Sequence, residues 1–185
     1  MTGYSREAFG PAWTDDTDAD GGHNGCDTRN DVLRRDLRSV VLKPGTRGCV
    51  VLRGTLHDPY TGRAIDFLRG ERTSLAVQID HVVALADAWQ TGAQQLPAGQ
   101  RERLANDPLE LLAVDGPTNQ RKGAGDAATW LPPAKPYRCA YVGRQIAVKR
   151  AYHLWVTRAE ADAMRRVLAA CPGQALPRAD DVPAR

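Results

Sequence analysis

Asp80-His81 closes the strand-like run Ser74-Leu75-Ala76-Val77-Gln78-Ile79. A second polar cluster, Asn119-Gln120-Arg121-Lys122-Gly123, follows the apolar run Leu109-Glu110-Leu111-Leu112-Ala113-Val114. These residue types can divide the labour of phosphodiester hydrolysis, which needs a water deprotonated in line, charge stabilised on the phosphoryl oxygens and a leaving oxygen neutralised. A neutral imidazole titrates near pH ~6.5, so His81 can take the proton of a water at neutral pH. A hard divalent cation can grip a non-bridging oxygen and the leaving oxygen together. Mg²⁺, expected here ahead of Mn²⁺ or Ca²⁺, keeps several of its waters and takes only one or two protein oxygens. The Asp80 carboxylate and the Asn119 amide oxygen are such a pair. Lys122, one helical turn beyond, and Arg121 are candidate phosphate contacts.

An Asp-His dipeptide alone is a weak signal, because a histidine bonded to a structural aspartate is commoner, and Asn119 alone is more often a helix cap. The order of elements strengthens it. Neighbouring strand residues point to opposite faces, so Asp80 and His81 can serve one site only where the strand ends. Leu109 to Val114 reads as a second strand. The turn Asp115-Gly116-Pro117-Thr118 leads into a helix carrying Asn119 to Lys122, with Thr118 as its predicted cap. The insertion between the strands reads as a helix over Val82 to Gln90, stopped at Gly92, and a short helix from Pro97 to Asn106. Two strands and a helix thus form a compact ββα unit.

Upstream, Leu33, Leu37, Val40 and Val41 recur at helical spacing and predict a helix from Asp27 to Leu42, capped by Asp27 or Thr28 and ended by Pro44-Gly45. Cys49 to Leu56 reads as a strand, His57 to Gly62 as a turn and Ala64 to Phe67 as the return strand of a hairpin. Downstream, Trp130-Leu131-Pro132-Pro133 is a loop, Cys139 to Thr157 a long helix or a broken pair, and Arg158 to Ala170 a further helix. Residues 1–25 form an irregular lead-in that Tyr4, Phe9 and Trp13 can pin down. Residues 26–173 make one α+β domain, and the Pro-rich, charged stretch 174–185 is expected to be disordered.

At 185 residues, 42% apolar and 25% charged, the chain has the composition of one ordinary globular domain. No run approaches the roughly 18 apolar residues of a membrane span. No charged-then-apolar export signal opens the chain, which fits a mature or trimmed form with Met1 as an added start. The net charge of +3 is mild. Its distribution says more, since Arg121, Lys122, Lys135, Arg138, Arg144, Lys149 and Arg150 all follow Asp-His, while acids crowd Asp15, Asp16, Asp18 and Asp20. A basic half beside the candidate site suits a phosphate backbone, though any one of these side chains is as readily a solvated charge. The four cysteines include no CxxC pair, which argues against a structural zinc ribbon. Their wide spacing suits two disulfides in an oxidising compartment. Cys26–Cys49 and Cys139–Cys171 are the favoured pairs because each closes locally; four free thiols are the alternative.

Ile79 to Leu85, Asn106 to Val114 and Asn119 to Gly123 together resemble the HNH, or His-Me finger, nuclease motif. The chain is most similar to small actinobacterial HNH endonuclease family proteins, which are related to the C-terminal nuclease domain of GmrSD-type restriction enzymes. Cys26-Asp27-Thr28-Arg29-Asn30, Asp58-Pro59-Tyr60-Thr61-Gly62, Trp130-Leu131-Pro132-Pro133 and Tyr137-Arg138-Cys139 extend the resemblance from about Tyr4 to Cys171. It implies a ββα-metal core with His81 as general base, Asp80 and Asn119 on the metal, and an exported protein. Asn119 stands at the third HNH position instead of histidine, which argues against tight zinc or nickel binding. Pro108 stands where the family usually has Asn or His, so Asn106 or Asp107 is left to orient the His81 ring or brace the loop. Arg29 is the further phosphate contact that the resemblance implies, against a salt bridge to Asp31 or Asp27.

The expectation is a monomeric, divalent-metal-dependent endonuclease, acting on DNA and, as a second substrate, RNA, with little sequence preference and no membrane partner. Two other readings remain at this point: a toxin-type effector nuclease with a dedicated inhibitor or immunity protein, and a catalytically silent nucleic-acid-binding relative.

Overall fold

The structure is a computed structural model, and it describes residues 2–178. Asp27 opens the first helix, α1 (Thr28–Asp36), by accepting from the Asn30 backbone N–H. The helix then stops six residues before its expected end. Leu37–Leu42 is strand β1, paired antiparallel with β2 (Val51–His57). The 33/37/40/41 spacing is helical, but Val40 and Val41 are β-branched and pair readily on a pleated surface. Leu37 serves both readings: it C-caps α1 and pairs across to Leu56. β2 continues through the predicted turn into β3 (Ala64–Leu68), which gives a three-stranded meander.

The second sheet holds the candidate site. β4 (Val77–His81) pairs antiparallel with β5 (Leu111–Asp115), His81 opposite Leu111 and Asp80 opposite Leu112. Alternation along β5 buries both faces of this small sheet. Leu111 and Ala113 join Val32, Leu33, Val51, Leu56 and Phe67 in one core. Leu112 and Val114 join Tyr141, Val142 and Met164 in another. The latter side is covered by α5 (Arg138–Ala151) and α6 (Arg158–Leu168); a further helix from Arg158 was expected, and the first one ends at Ala151, short of the expected Thr157.

The β4–β5 connection carries α2 (Leu85–Gln90) and α3 (Ala98–Asn106), and α4 (Gly116–Lys122) follows β5. The cap of α4 is Asp115, whose carboxylate accepts from Thr118 N at 2.9 Å and Thr118 Oγ1 at 2.6 Å, so Thr118 is the capped residue and not the cap. Gly116 is required here because a Cβ would lie 2.0 Å from the Leu75 carbonyl oxygen. That close approach seats α4 against the entry to β4. The result is the predicted ββα unit with its insertion.

The lead-in is more ordered than expected. It forms a short 3-10 helix, Arg6–Phe9, and Phe9 is buried in a third core with Leu85, Leu104 and Val148. Leu176 packs against the same core, while residues 179–185 of the expected tail lie outside the described residues. Buried Lys149 ties three helices together, with Nζ 2.9 Å from Asp87 Oδ2 and 2.8 Å from Glu160 Oε1.

Both favoured disulfides are present: Cys26–Cys49 and Cys139–Cys171, closing 23 and 32 residues of sequence. Loops of this length are stabilised by about 3 kcal/mol per bridge. Reductant is therefore expected to lower the thermal midpoint markedly, and a denaturing thiol titration without reductant should find no free thiol.

Candidate active site

Asp80 and His81 occupy the last two positions of β4, where the strand yields to the insertion, and both line one open cleft of about 480 Å³. Arg6 and Trp13 from the lead-in, Arg29 from α1 and Asn119 from α4 complete its walls. Chain segments far apart in sequence meet here because β4 is held between α1 on one side and α4 on the other.

His81 is buried, with 7% of its surface exposed. Its Nε2 lies 3.0 Å from the Ala105 carbonyl oxygen, and the indole of Trp13 stacks on the ring, centroids 5.8 Å apart and planes 20° apart. A ring nitrogen bonded to a carbonyl must carry the proton, which leaves Nδ1 with the lone pair. Burial pushes the imidazole pKa down to about 3, with the Arg6 charge acting in the same direction and the Ala105 bond against it. His81 is thus a neutral imidazole of fixed tautomer.

Asp80 is held from two directions. Its Oδ2 accepts the Tyr60 hydroxyl, and its Oδ1 accepts Lys122 Nζ at 2.9 Å. Lys122 is 3% exposed and also donates to the His81 carbonyl at 2.7 Å. Burial pushes the Asp80 carboxyl upward, and the Lys122 ammonium and the Tyr60 hydroxyl oppose that rise. Tyr60 is aimed by the turn that precedes it. Asp58 Oδ1 accepts from Tyr60 N at 3.3 Å and from Asp115 N at 3.0 Å, which fastens the β2–β3 turn to the β5–α4 junction. Asn119 donates through Nδ2 to Gln78 Oε1 at 3.1 Å, so its amide oxygen is the atom left for another partner.

The predicted site residues divide accordingly. Asp80, His81, Asn119 and Arg29 line one cleft. Lys122 belongs to the site but points inward, its ammonium occupied by Asp80 and the His81 carbonyl where a phosphate contact was expected. Arg121 is exposed on α4 and bonds Thr118 Oγ1 at 2.7 Å. Arg144 lies elsewhere: its guanidinium donates to the carbonyls of Leu109, Pro108 and Leu111. Among the described residues Arg29 makes no ion pair with Asp31 or Asp27, and it donates to the Val77 carbonyl at 3.4 Å.

Pro108 explains how the loop before β5 manages without a polar side chain at that position. Its carbonyl accepts from both Arg35 and Arg144, each at 2.8 Å. Asp107 braces the same loop through Leu109 N at 2.7 Å and the Tyr152 hydroxyl at 2.6 Å. Asn106, expected to orient His81, instead donates to the Glu102 carbonyl at 2.9 Å, and the Ala105 carbonyl holds the ring. A main-chain acceptor leaves no trace in residue identity. Tyr60, Gln78, Arg6 and Trp13 were missed as site residues. Tyr60 alone had a signal, its place in the Asp58–Gly62 motif.

Toward a divalent cation the cleft offers the Asn119 amide oxygen, which has no protein partner among the described residues, and the Asp80 carboxylate, whose two oxygens already accept from Tyr60 and Lys122 and have only their remaining lone pairs to give. A hard cation that retains most of its waters needs only one or two such oxygens. Among the described residues no group of three His, Cys, Asp or Glu side chains is placed to hold a metal, so a closed zinc site has no donors here. No helix among the described residues is long and apolar enough to cross a membrane.

A secreted protein of Arthroderma benhamiae, itself uncharacterized, is 36% identical over 171 residues, 91% of this chain and 76% of that protein. Residues 27–167, from the cap of α1 to the last turn of α6 and including every strand described above, match the C-terminal domain of GmrSD restriction endonucleases. With that match spanning most of the chain, the protein belongs to the GmrSD C-terminal domain family, a family of restriction-endonuclease type.

Proposed function

We propose that the protein is an HNH-type endonuclease that hydrolyses phosphodiester bonds of DNA, with RNA as a second substrate and little sequence preference. The observation that carries this reading is His81, its Nε2 anchored on the Ala105 carbonyl, on the same cleft as Asp80 and Asn119. His81 Nδ1 takes the proton of the attacking water, and the Ala105 carbonyl accepts from the imidazolium that results. Asp80 and Asn119 would hold a divalent cation, Mg²⁺ first, which when bound supplies charge stabilisation at the phosphoryl and leaving oxygens. Arg29 and Arg6 bring positive charge to the phosphate backbone. Lys122 and Tyr60 keep the Asp80 carboxylate in place. Water attacks phosphorus in line with the P–O3′ bond, which breaks, so the products are a 5′ phosphate and a 3′ oxygen that takes a proton from solvent. The two disulfides and the secreted relative support an extracytoplasmic site of action.

The test incubates the purified protein with supercoiled plasmid and with single-stranded RNA, in Mg²⁺, in Mn²⁺ and in chelator. Nicked and linear plasmid in metal, and intact plasmid in chelator, is the expected result. Intact plasmid in every metal overturns the enzyme reading, and cleavage that survives the chelator overturns the metal assignment.

A further inference from the structure

Trp13 precedes the stretch matched to the family, residues 27–167, yet its indole is stacked on the imidazole of His81. Among the described residues the ring of the histidine has one hydrogen bond, from Nε2 to the Ala105 carbonyl. One such bond fixes a nitrogen but not the plane of the ring, which can still turn about that contact. An aromatic face laid parallel to the imidazole supplies the second constraint.

The backbone of Trp13 shows that this placement is imposed. Its φ is 59°, in the left-handed region that bulky side chains rarely adopt. Residues held in such conformations persist only where their surroundings over-determine them, and they cluster at functional sites. Here the first turn of α1 does the holding. The Trp13 carbonyl accepts from Thr28 N at 3.3 Å, and the adjoining Thr14 carbonyl accepts from Thr28 Oγ1 at 2.8 Å. Asp15 closes the loop behind it, accepting Asn24 N and Gly25 N at 2.9 Å each, immediately before the Cys26–Cys49 bridge. Trp13 also packs against the core of Val32, Leu33 and Ile79, while Phe9, 1% exposed, anchors the lead-in to a different one, so the indole joins that core to the His81 ring.

We infer that Trp13 is a positioning residue for His81: its indole holds the imidazole plane so that the base keeps one orientation toward the cleft. The inference rests on the nuclease reading. Because Trp13 also lines the cleft, the competing role is a platform on which a nucleobase stacks.

Three variants separate the roles: Trp13→Ala, Trp13→Gly, which also relieves the positive φ and so keeps a folded protein in hand, and Trp13→Phe, which retains an aromatic face. The expected result is a kcat lowered about 10- to 100-fold in the Ala and Gly variants, with KM within about twofold, since a small misplacement of a catalytic group is costly. Trp13→Phe is expected to recover most of the rate. DNA binding in chelator, read by fluorescence anisotropy, should be unchanged in all three. Independently of turnover, the His81 Cε1–H NMR signal should carry a ring-current shift in the parent that is lost in Trp13→Ala and partly kept in Trp13→Phe. An unchanged kcat in both truncated variants overturns the inference. So does weakened DNA binding with kcat intact, the signature of a stacking platform. An active parent with unaffected variants sinks this inference alone, whereas a parent that cuts no nucleic acid sinks the nuclease reading and this inference with it.

Discussion

His81→Ala is expected to lower kcat by about 10²- to 10⁴-fold, the usual contribution of a positioned general base, while DNA binding in chelator stays within experimental error of the parent. The side chain touches Ala105 and Trp13 and makes no ion pair, so its loss leaves no buried charge behind. A stopped or plasmid-based cleavage assay with matched circular-dichroism spectra checks it, and a variant that cleaves as well as the parent removes His81 from the mechanism. A second consequence concerns stability in chelator. The folded-state pKa of about 3 lies below the ordinary histidine value of 6.5. Between the two, the unfolded chain binds the proton and the folded chain does not, so stability present above pH 6.5 is lost as pH falls toward 3. The slope of unfolding free energy against pH in that window should be shallower in His81→Ala than in the parent, by up to one proton.

Lys122→Met is expected to destabilise the protein by about 3–5 kcal/mol, because breaking a buried pair strands the remaining charge. Nζ is fully enclosed, with the Asp80 carboxylate and the His81 carbonyl as its partners, and no water-facing route replaces it. Asp80 would then keep only the Tyr60 hydroxyl. The double variant Asp80→Asn/Lys122→Met should recover much of the loss, since two neutral groups of similar volume need no counter-charge. Urea denaturation of the parent, both singles and the double closes the cycle. A Lys122→Met cost below about 1 kcal/mol, the range of an exposed pair, would place the ammonium in solvent and overturn the buried arrangement. Lys122 thereby acts on the site from behind Asp80, as an internal counter-charge for the carboxylate.

The sequence made the ββα order legible because each part carried a local signal. An alternating apolar run ends at Asp80-His81, a second run is followed by a Gly-Pro turn, and a helical stretch bears Asn119. The spacing of the four cysteines favoured the local pairs that form but left the other connectivities open, and the fold decides among them. The segment after Asp36 was misread because Leu37, Val40 and Val41 satisfy helical spacing and β-propensity at once, and only pairing with β2 decides between them. Lys122 and Arg144 were placed among phosphate contacts because charge reads as exposure in a sequence. Their inward orientation follows from acceptors supplied by other elements, the Asp80 carboxylate for one and the carbonyls of residues 108–111 for the other.

What the amino-acid sequence determined by itself was the chemistry on offer: an imidazole, a carboxylate and an amide at the ends of elements that can converge. What only the tertiary structure decided was the state of those groups. The Ala105 carbonyl and the Trp13 face orient His81, and burial keeps it neutral. Tyr60 and Lys122 grip Asp80 across the sheet. Local patterns encode which side chain stands at the end of which strand, whereas protonation, orientation and pairing depend on desolvation and on partners that are distant in the chain. At Pro108 the partner is a main-chain atom, and such an atom has no letter in the sequence.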